Sequence, residues 1–153
     1  MRFVLFGVVM MLVSAACSSA ADTDSQGVIA PAAAGSETYV LGQSVYETQC
    51  ASCHGIEGEG QFPDAPLEPD ISGLYGAPPH DETGHTWHHD DDLLLRYVRE
   101  GGMGDPSRFY PMPALGDVLT DEEIFAVIAY IKTMWTQEQI DAQRERTIAI
   151  REQ

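Results

Sequence analysis

The chain has 153 residues, enough for one domain of ordinary size, and its 44% hydrophobic residues are typical of a globular protein. Its 24 acidic residues against 8 lysines and arginines give a formal charge of −16. This charge argues against electrostatic binding to nucleic acid or to an anionic membrane, and it fits a basic partner or a soluble protein outside the cell.

The N-terminus has the pattern of an export signal. An apolar run over 3–13 follows Arg2; it is too short to cross a bilayer as a helix but suits the core of a signal peptide. The small residues and Cys17 that follow resemble a bacterial lipoprotein signal, in which the cysteine becomes the lipidated first residue. Ser14 departs from that signal, and Ser-Ala-Ala at 19–21 offers a competing cleavage site that would remove Cys17.

Either cleavage makes the mature protein exported, to the periplasm or to the outer face of a bacterial membrane. Any attachment to the membrane would then be through a lipid anchor alone. We therefore predict a signal peptide over 1–16. Residues 17–36 contain Ala, Ser, Asp, Gly and Pro without periodicity, which predicts a flexible tether after the candidate lipidated cysteine.

The rest of the chain is predicted to be all-α, since no stretch has the alternation of a strand. A first helix is expected over 41–50, and the Gly- and Pro-rich residues 55–79 predict loops. A second helix should begin after the aspartates 90–92 and end at Gly101.

Two further helices begin at capping boxes. Thr120 and Glu123 form the first box, ahead of apolar residues at helical spacing that continue to Trp135. Thr136 and Gln139 open the last helix, which runs to about 152. Its apolar positions are sparse, so we expect it to lie on the surface or to contact a partner.

The stretch Cys50-Ala51-Ser52-Cys53-His54 allows three chemistries. A zinc site needs a fourth ligand, for which the histidines near residue 85 are available. A redox dithiol is expected near a βαβ pattern, which is missing here, and Cys-x-x-Cys-His is the attachment pattern of c-type haem. Cysteines at i and i+3 share one face of a helical turn, so both can reach one porphyrin edge. Haem would also fill the thin core that three short helices leave.

At this point the chain resembles the class I cytochrome c family, from Gly42 to Trp135. Gly42 and Tyr46 match the glycine and aromatic residue of the family's N-terminal helix, and Tyr130 matches the aromatic residue of the C-terminal helix that crosses it. The resemblance implies a cytochrome c-like fold over 37–135, with three core helices around one covalent haem c and a C-terminal helical extension over 136–153. In "EPDISG" it implies that the carbonyl of Pro69 orients His54.

The resemblance also implies a methionine as the second axial ligand of the iron. Met112, in "YPMPALGD", matches the family's Met-Pro-Ala segment ahead of the last helix, with Pro111 and Pro113 stiffening the loop. Met103 is the other methionine in a loop and is expected to pack near the haem.

A histidine-rich loop departs from a minimal class I domain. It carries His80, His85, His88 and His89, and the last three are candidate ligands of an additional copper or zinc ion. The alternative is a loop around Trp87 that covers the haem edge.

These features predict a mono-haem electron carrier rather than an enzyme, with redox protein partners that present a basic docking patch. Three alternatives stay open. The first is a haem-bearing subunit of a larger oxidoreductase. The second is a haem protein with an added copper or zinc site. The third is a peroxidase or sensor with a displaceable sixth ligand.

Overall fold

The computed structural model describes residues 23–153, so the predicted signal peptide 1–16 and Cys17 lie outside the described residues. Five α-helices follow one another: α1 (Glu37–Val45), α2 (Ala51–His54), α3 (Asp91–Glu100), α4 (Asp121–Ile131) and α5 (Gln137–Arg151). The described residues contain no strand, only two isolated bridges, Thr23↔Ile29 and Tyr75↔Phe109. The prediction of an all-α fold is confirmed. Within 23–153, no helix is both long and apolar enough to cross a membrane.

Helices α1 and α4 cross in contact at the centre of the core. A Cβ at Gly42 would lie 2.2 Å from the carbonyl oxygen of Ala126 and 2.7 Å from the Cβ of Tyr130. The ring of Tyr130 packs 5.6 Å from that of Tyr46 and 5.3 Å from that of Tyr39, measured between centroids. Since only glycine permits such an approach of two helices, the crossing expected at Gly42 is confirmed.

Side chains cap the helices largely where the sequence predicts. Asp90 accepts a hydrogen bond from the amide of Leu93 at the start of α3, and complete capping boxes open α4 at Thr120 and α5 at Thr136. Helix α1 begins earlier than predicted, because the Ser36 hydroxyl accepts from the amide of Tyr39 and adds a turn before Leu41.

The prediction of a flexible tether over 17–36 is wrong for its described part, 23–36. Val28, Ile29 and Ala32 are buried, and the amide of Ala32 donates to the carbonyl of Ala129 in α4. Composition alone suggested a free chain, but three buried apolar residues are enough to pack this segment against the rest of the domain.

A buried polar cluster joins this N-terminal segment to α3 and α5. The ammonium of Lys132, 1% exposed, donates to the carboxylate of Asp91 (2.5 Å), to the amide oxygen of Gln143 (2.8 Å) and to the carbonyl of Ile29 (2.7 Å). The backbone amide of Asp91 donates to the hydroxyl of Thr147 at 3.2 Å.

Helix α5 therefore packs against its own domain, where the sequence predicted a surface helix or a partner contact. Gln143 and Thr147 are 1% and 0% exposed, although the helix has few apolar residues. Apolar periodicity underestimates the burial of a helix whose inner face consists of polar side chains that form hydrogen bonds with buried partners.

Candidate haem site

The three residues of the attachment motif lie at the end of one continuous helical stretch. After α1 the chain forms a π-helical turn over Tyr46–Cys50, and α2 then carries Cys53 and His54. Both cysteines are free thiols, Cys50 buried and Cys53 exposed. Burial raises the pKa of the Cys50 thiol to about 11.

Tyr46 links the motif to the crossing of α1 and α4. Its buried ring lies in the core, and its hydroxyl donates to the carbonyl of Gly55 at 3.0 Å, directly after the motif. Burial raises the pKa of Tyr46, which keeps the phenol protonated and able to donate. The helix ends at Gly55, where φ is +81° and a Cβ would lie 2.2 Å from the Oε2 of Glu59.

His54 is held in the form that a metal ligand requires. Its Nδ1 donates to the carbonyl oxygen of Pro78 at 2.9 Å. A carbonyl only accepts, so the proton lies on Nδ1 and the lone pair lies on Nε2. Burial lowers the pKa of His54, which keeps the ring neutral in spite of the opposing effect of the carbonyl.

The structure corrects the residue that orients His54. The sequence assigned this role to Pro69, but Pro69 is exposed in a loop and the acceptor is Pro78. A long loop rich in proline separates the motif from Pro78, and the spacing alone does not show which proline returns to the ring. The adjacent pair Pro78-Pro79, which stiffens an extended segment, was the available signal.

His80 is a neighbour of the motif that the sequence placed only in the histidine-rich loop. Its ring stacks on that of His54, with centroids 3.8 Å apart and an interplanar angle of 18°. The carbonyl of His80 accepts from the indole of Trp135 at 2.8 Å. Within the described residues, the buried Nδ1 of His80 has no hydrogen-bond partner.

Of the two candidate methionines, Met112 is the one that packs against the core. Its side chain is partly buried against the core residues, whereas Met103 is 41% exposed. The carbonyl of Met112 accepts from the amide of Gly102 at 3.0 Å. A Cβ at Gly101, where φ is +88°, would lie 2.7 Å from that carbonyl oxygen, so glycine is needed for this close approach.

A sequence model of the cytochrome c family matches residues 39–135, more than half of the chain. The chain belongs to the cytochrome c family. Proteins of this family bind haem c covalently and transfer electrons through it.

A solved structure with the same fold is the crystal structure of cytochrome cL from the marine methylotrophic bacterium Methylophaga aminisulfidivorans MPT. It is 20% identical to this cytochrome, with a TM-score of 0.51, and the match covers 76% of this chain and 67% of that one. At this level of identity the likeness shows the fold alone. No curated protein matches the chain.

The residues of this cytochrome fit haem c. Two free thiols lie one helical turn apart, and the next residue is a neutral histidine whose Nδ1 is already engaged. That donor set matches the attachment pattern of the cofactor, and the carbonyl of Pro78 is the outer partner that ligating histidines usually have.

The additional metal site predicted at His85, His88 and His89 is not formed. His88 stacks on Trp87 at 3.6 Å, while the rings of His85 and His89 lie edge to face at 5.4 Å. Residues 23–153 contain no group of three or more His, Cys, Asp or Glu side chains that could hold a metal ion.

Hydrogen bonds from α5 hold this histidine-rich loop instead. The side-chain amide of Gln139 donates to the backbone carbonyl of Glu82 at 2.9 Å. The side-chain amide of Gln143 donates to the backbone carbonyl of His89 at 3.1 Å. The loop is thus part of the packed domain.

Proposed function

We propose that this cytochrome carries one haem c and transfers single electrons between redox proteins outside the cytoplasm. The observation that carries the proposal is the helical turn of Cys50, Cys53 and His54, with the imidazole fixed by Pro78. The chain has three cysteines, and only Cys50 and Cys53 form the attachment pattern, which supports a single haem. When bound, the haem supplies a one-electron iron couple.

The chain's own residues have separate tasks in this proposal. Cys50 and Cys53 would form the thioether links, and His54, through Nε2, and Met112 would hold the iron. With both of these protein ligands bound, the iron would have no open position for oxygen or peroxide, as an electron carrier requires.

The attachment test uses the full chain produced with a haem-attachment system. We expect one haem per chain, retained after denaturation in acidified acetone. Cys50→Ala/Cys53→Ala should retain no haem after this treatment, and Cys17→Ser should retain it. Haem that washes out of the wild-type chain would contradict the proposal.

The ligand test compares two methionines. We expect Met112→Ala to abolish the methionine-linked charge-transfer band of the ferric protein and to lower the reduction potential, because a thioether ligand favours the ferrous state. Met103→Ala is the matched control and should keep both properties. Loss of the band in Met103→Ala alone would reverse the assignment.

The proposed location rests on the apolar run 3–13 and on Cys17. We expect the mature chain to begin at a diacylated Cys17 and to partition with membranes. Mass spectrometry of the mature N-terminus checks this, with Cys17→Ser as the control that should be released. A mature chain that begins after 21 would show simple secretion instead.

The proposed partners are redox proteins with a basic docking patch, because the chain carries a formal charge of −16.

A further inference from the structure

The loop that contains Tyr75 and the loop that leads to Met112 pair through backbone hydrogen bonds. The amide of Tyr75 donates to the carbonyl of Arg108 at 2.8 Å, and the amide of Tyr110 donates to the carbonyl of Tyr75 at 3.0 Å. The two bonds form the isolated parallel bridge Tyr75↔Phe109, whose rings pack with centroids 5.3 Å apart. The loop after the attachment motif thereby holds the loop that leads to Met112.

A side-chain hydrogen bond completes this contact. The hydroxyl of Tyr110 donates to Oδ2 of Asp70 at 2.7 Å. The other carboxylate oxygen, Oδ1, is occupied by the amide (2.8 Å) and hydroxyl (2.6 Å) of Ser72 and by the amide of Leu74 (3.2 Å). These bonds fix the orientation of the carboxylate, so that Oδ2 faces the hydroxyl of Tyr110. We call the Asp70–Tyr110 bond and the Tyr75↔Phe109 bridge the loop brace.

The loop brace attaches the segment upstream of Met112, and the amide of Gly102 separately donates to the carbonyl of Met112 itself at 3.0 Å. In the part of the chain that the structure describes, three hydrogen bonds leave the segment 103–111 for the rest of the molecule, and all three belong to the brace. Pro111 stands between Tyr110 and Met112 and fixes the backbone there. Downstream, the amide of Leu115 donates to the carbonyl of Val98 at 3.0 Å, which ties the chain to α3.

We propose that Asp70 and Tyr110 are positioning residues that hold Met112 in place as an axial ligand. The inference rests on the proposed function, since it requires Met112 to bind the iron. A thioether is a weak ligand that external bases displace, and its effective strength depends on how firmly its loop is held. Loosening the brace should let an added base compete better for the iron.

The experiment titrates the ferric holo-cytochrome with imidazole and follows the methionine-linked charge-transfer band. We expect imidazole to bind Tyr110→Phe and Asp70→Asn about 3- to 10-fold more tightly than wild type, because each substitution removes the same side-chain hydrogen bond. The double variant should bind imidazole no more tightly than the tighter single variant, since both substitutions break one interaction.

Three controls separate positioning from general loss of stability. Asp105→Asn removes a carboxylate that accepts from the amide and hydroxyl of Ser107 in the same way but touches no other loop. Tyr39→Phe removes a hydroxyl that makes no hydrogen bond among residues 23–153. Thr136→Ala removes the cap of α5 and lowers stability without removing any contact of the brace. All three should bind imidazole as wild type does.

Three outcomes overturn the inference, and they are distinguishable. If Met112→Ala keeps the charge-transfer band, the proposed ligand is wrong and the brace has no ligand to position. If Met112→Ala loses the band but Tyr110→Phe and Asp70→Asn bind imidazole like wild type, the proposed function stands and the positioning role is wrong. Tighter imidazole binding in Thr136→Ala by the same factor would likewise contradict positioning.

Discussion

At the residue scale, the candidate haem site depends on a backbone carbonyl that no side-chain pattern reveals. The carbonyl of Pro78 fixes the proton of His54 on Nδ1, so the ring presents Nε2 as a ligand. Every residue has a backbone carbonyl that can accept a hydrogen bond. The path of the loop decides which of them reaches the ring of His54. The sequence therefore identified His54 but named the wrong proline.

Asp70 leads to a prediction about pH. The hydroxyl of Ser72, and then that of Tyr110, lower the pKa of Asp70 from 3.8 to about 2. A group whose pKa is lowered on folding stabilises the folded state above its unfolded pKa. Its contribution should therefore be complete above about pH 3.8 and should disappear as the pH falls to about 2.

We expect the melting temperature of wild type to exceed that of Asp70→Asn by a constant amount at neutral and mildly acidic pH. The difference in melting temperature should narrow as the pH falls from about 3.8 to about 2. Thermal unfolding followed by circular dichroism measures it. Glu68→Gln is the control, because the exposed Glu68 carboxylate accepts no hydrogen bond in the described residues. A difference that persists below about pH 2 would contradict the role given to Asp70.

At the scale of elements, the crossing of α1 and α4 is the contact that the sequence predicted best. Gly42, Tyr46 and Tyr130 could be assigned because they match the glycine and aromatic residues that the cytochrome c family has at this crossing. A glycine there allows the two backbones to approach.

Gly42→Ala should destabilise the cytochrome strongly. The new Cβ would lie 2.2 Å from the carbonyl oxygen of Ala126, so the two helices must separate, with a loss of about 2–3 kcal/mol in the free energy of unfolding. Urea denaturation checks the value. Ser44→Ala, at an exposed position of the same helix, should unfold close to wild type, and an equal loss there would contradict the argument.

The buried polar cluster around Lys132 is the element contact that the sequence missed. We expect Lys132→Met to lower the free energy of unfolding by about 3–5 kcal/mol, because it leaves the carboxylate of Asp91 buried without its cation. Burial itself lowers the pKa of Lys132, and the adjacent Asp91 opposes that shift. The ion pair thus keeps the ammonium charged inside the core.

An exposed ion pair supplies the control for Lys132. Arg96 and Glu100 are 56% and 58% exposed and pair along α3 at 2.8 Å. Arg96→Met should leave the denaturation midpoint close to that of wild type, because water and salt screen such pairs. Similar losses in Arg96→Met and Lys132→Met would show that burial is not the deciding factor.

At the scale of the whole molecule, the two ends of the described chain close against each other. Asp24 pairs with Arg144 at 2.6 Å, and Arg151 donates to Asp92 at 2.8 Å and to the carbonyl of Gly27 at 3.1 Å. The N-terminal segment is thus held by α5, and the domain includes parts of the chain on both sides of residues 39–135.

The net charge should control the rate of electron exchange. With a formal charge of −16, we expect the reduced cytochrome to react faster with tris(phenanthroline)cobalt(III), a cation, at low salt and more slowly as salt rises. Ferricyanide, an anion, is the matched control and should show the opposite salt dependence. Stopped-flow kinetics measure both, and slopes of the same sign would contradict steering by the acidic surface.

The sequence by itself determined the helical class, the helix caps and the attachment motif of this cytochrome. Each of these depends on residues within a few positions of one another, so the spacing of Cys50, Cys53 and His54, or of Thr120 and Glu123, carries the information directly. Met112 was singled out by its resemblance to the family's Met-Pro-Ala segment, which is also a local pattern.

Only the tertiary structure decided which distant groups meet. It showed that the carbonyl of Pro78, not of Pro69, meets His54, and it packed residues 23–36 against α4. It also stacked His88 on Trp87 and joined Asp70 to Tyr110. Contacts of this kind connect residues up to 124 positions apart, as between Gly27 and Arg151. Contacts at such separations follow from how loops return over the core, and no local pattern of residues encodes that path.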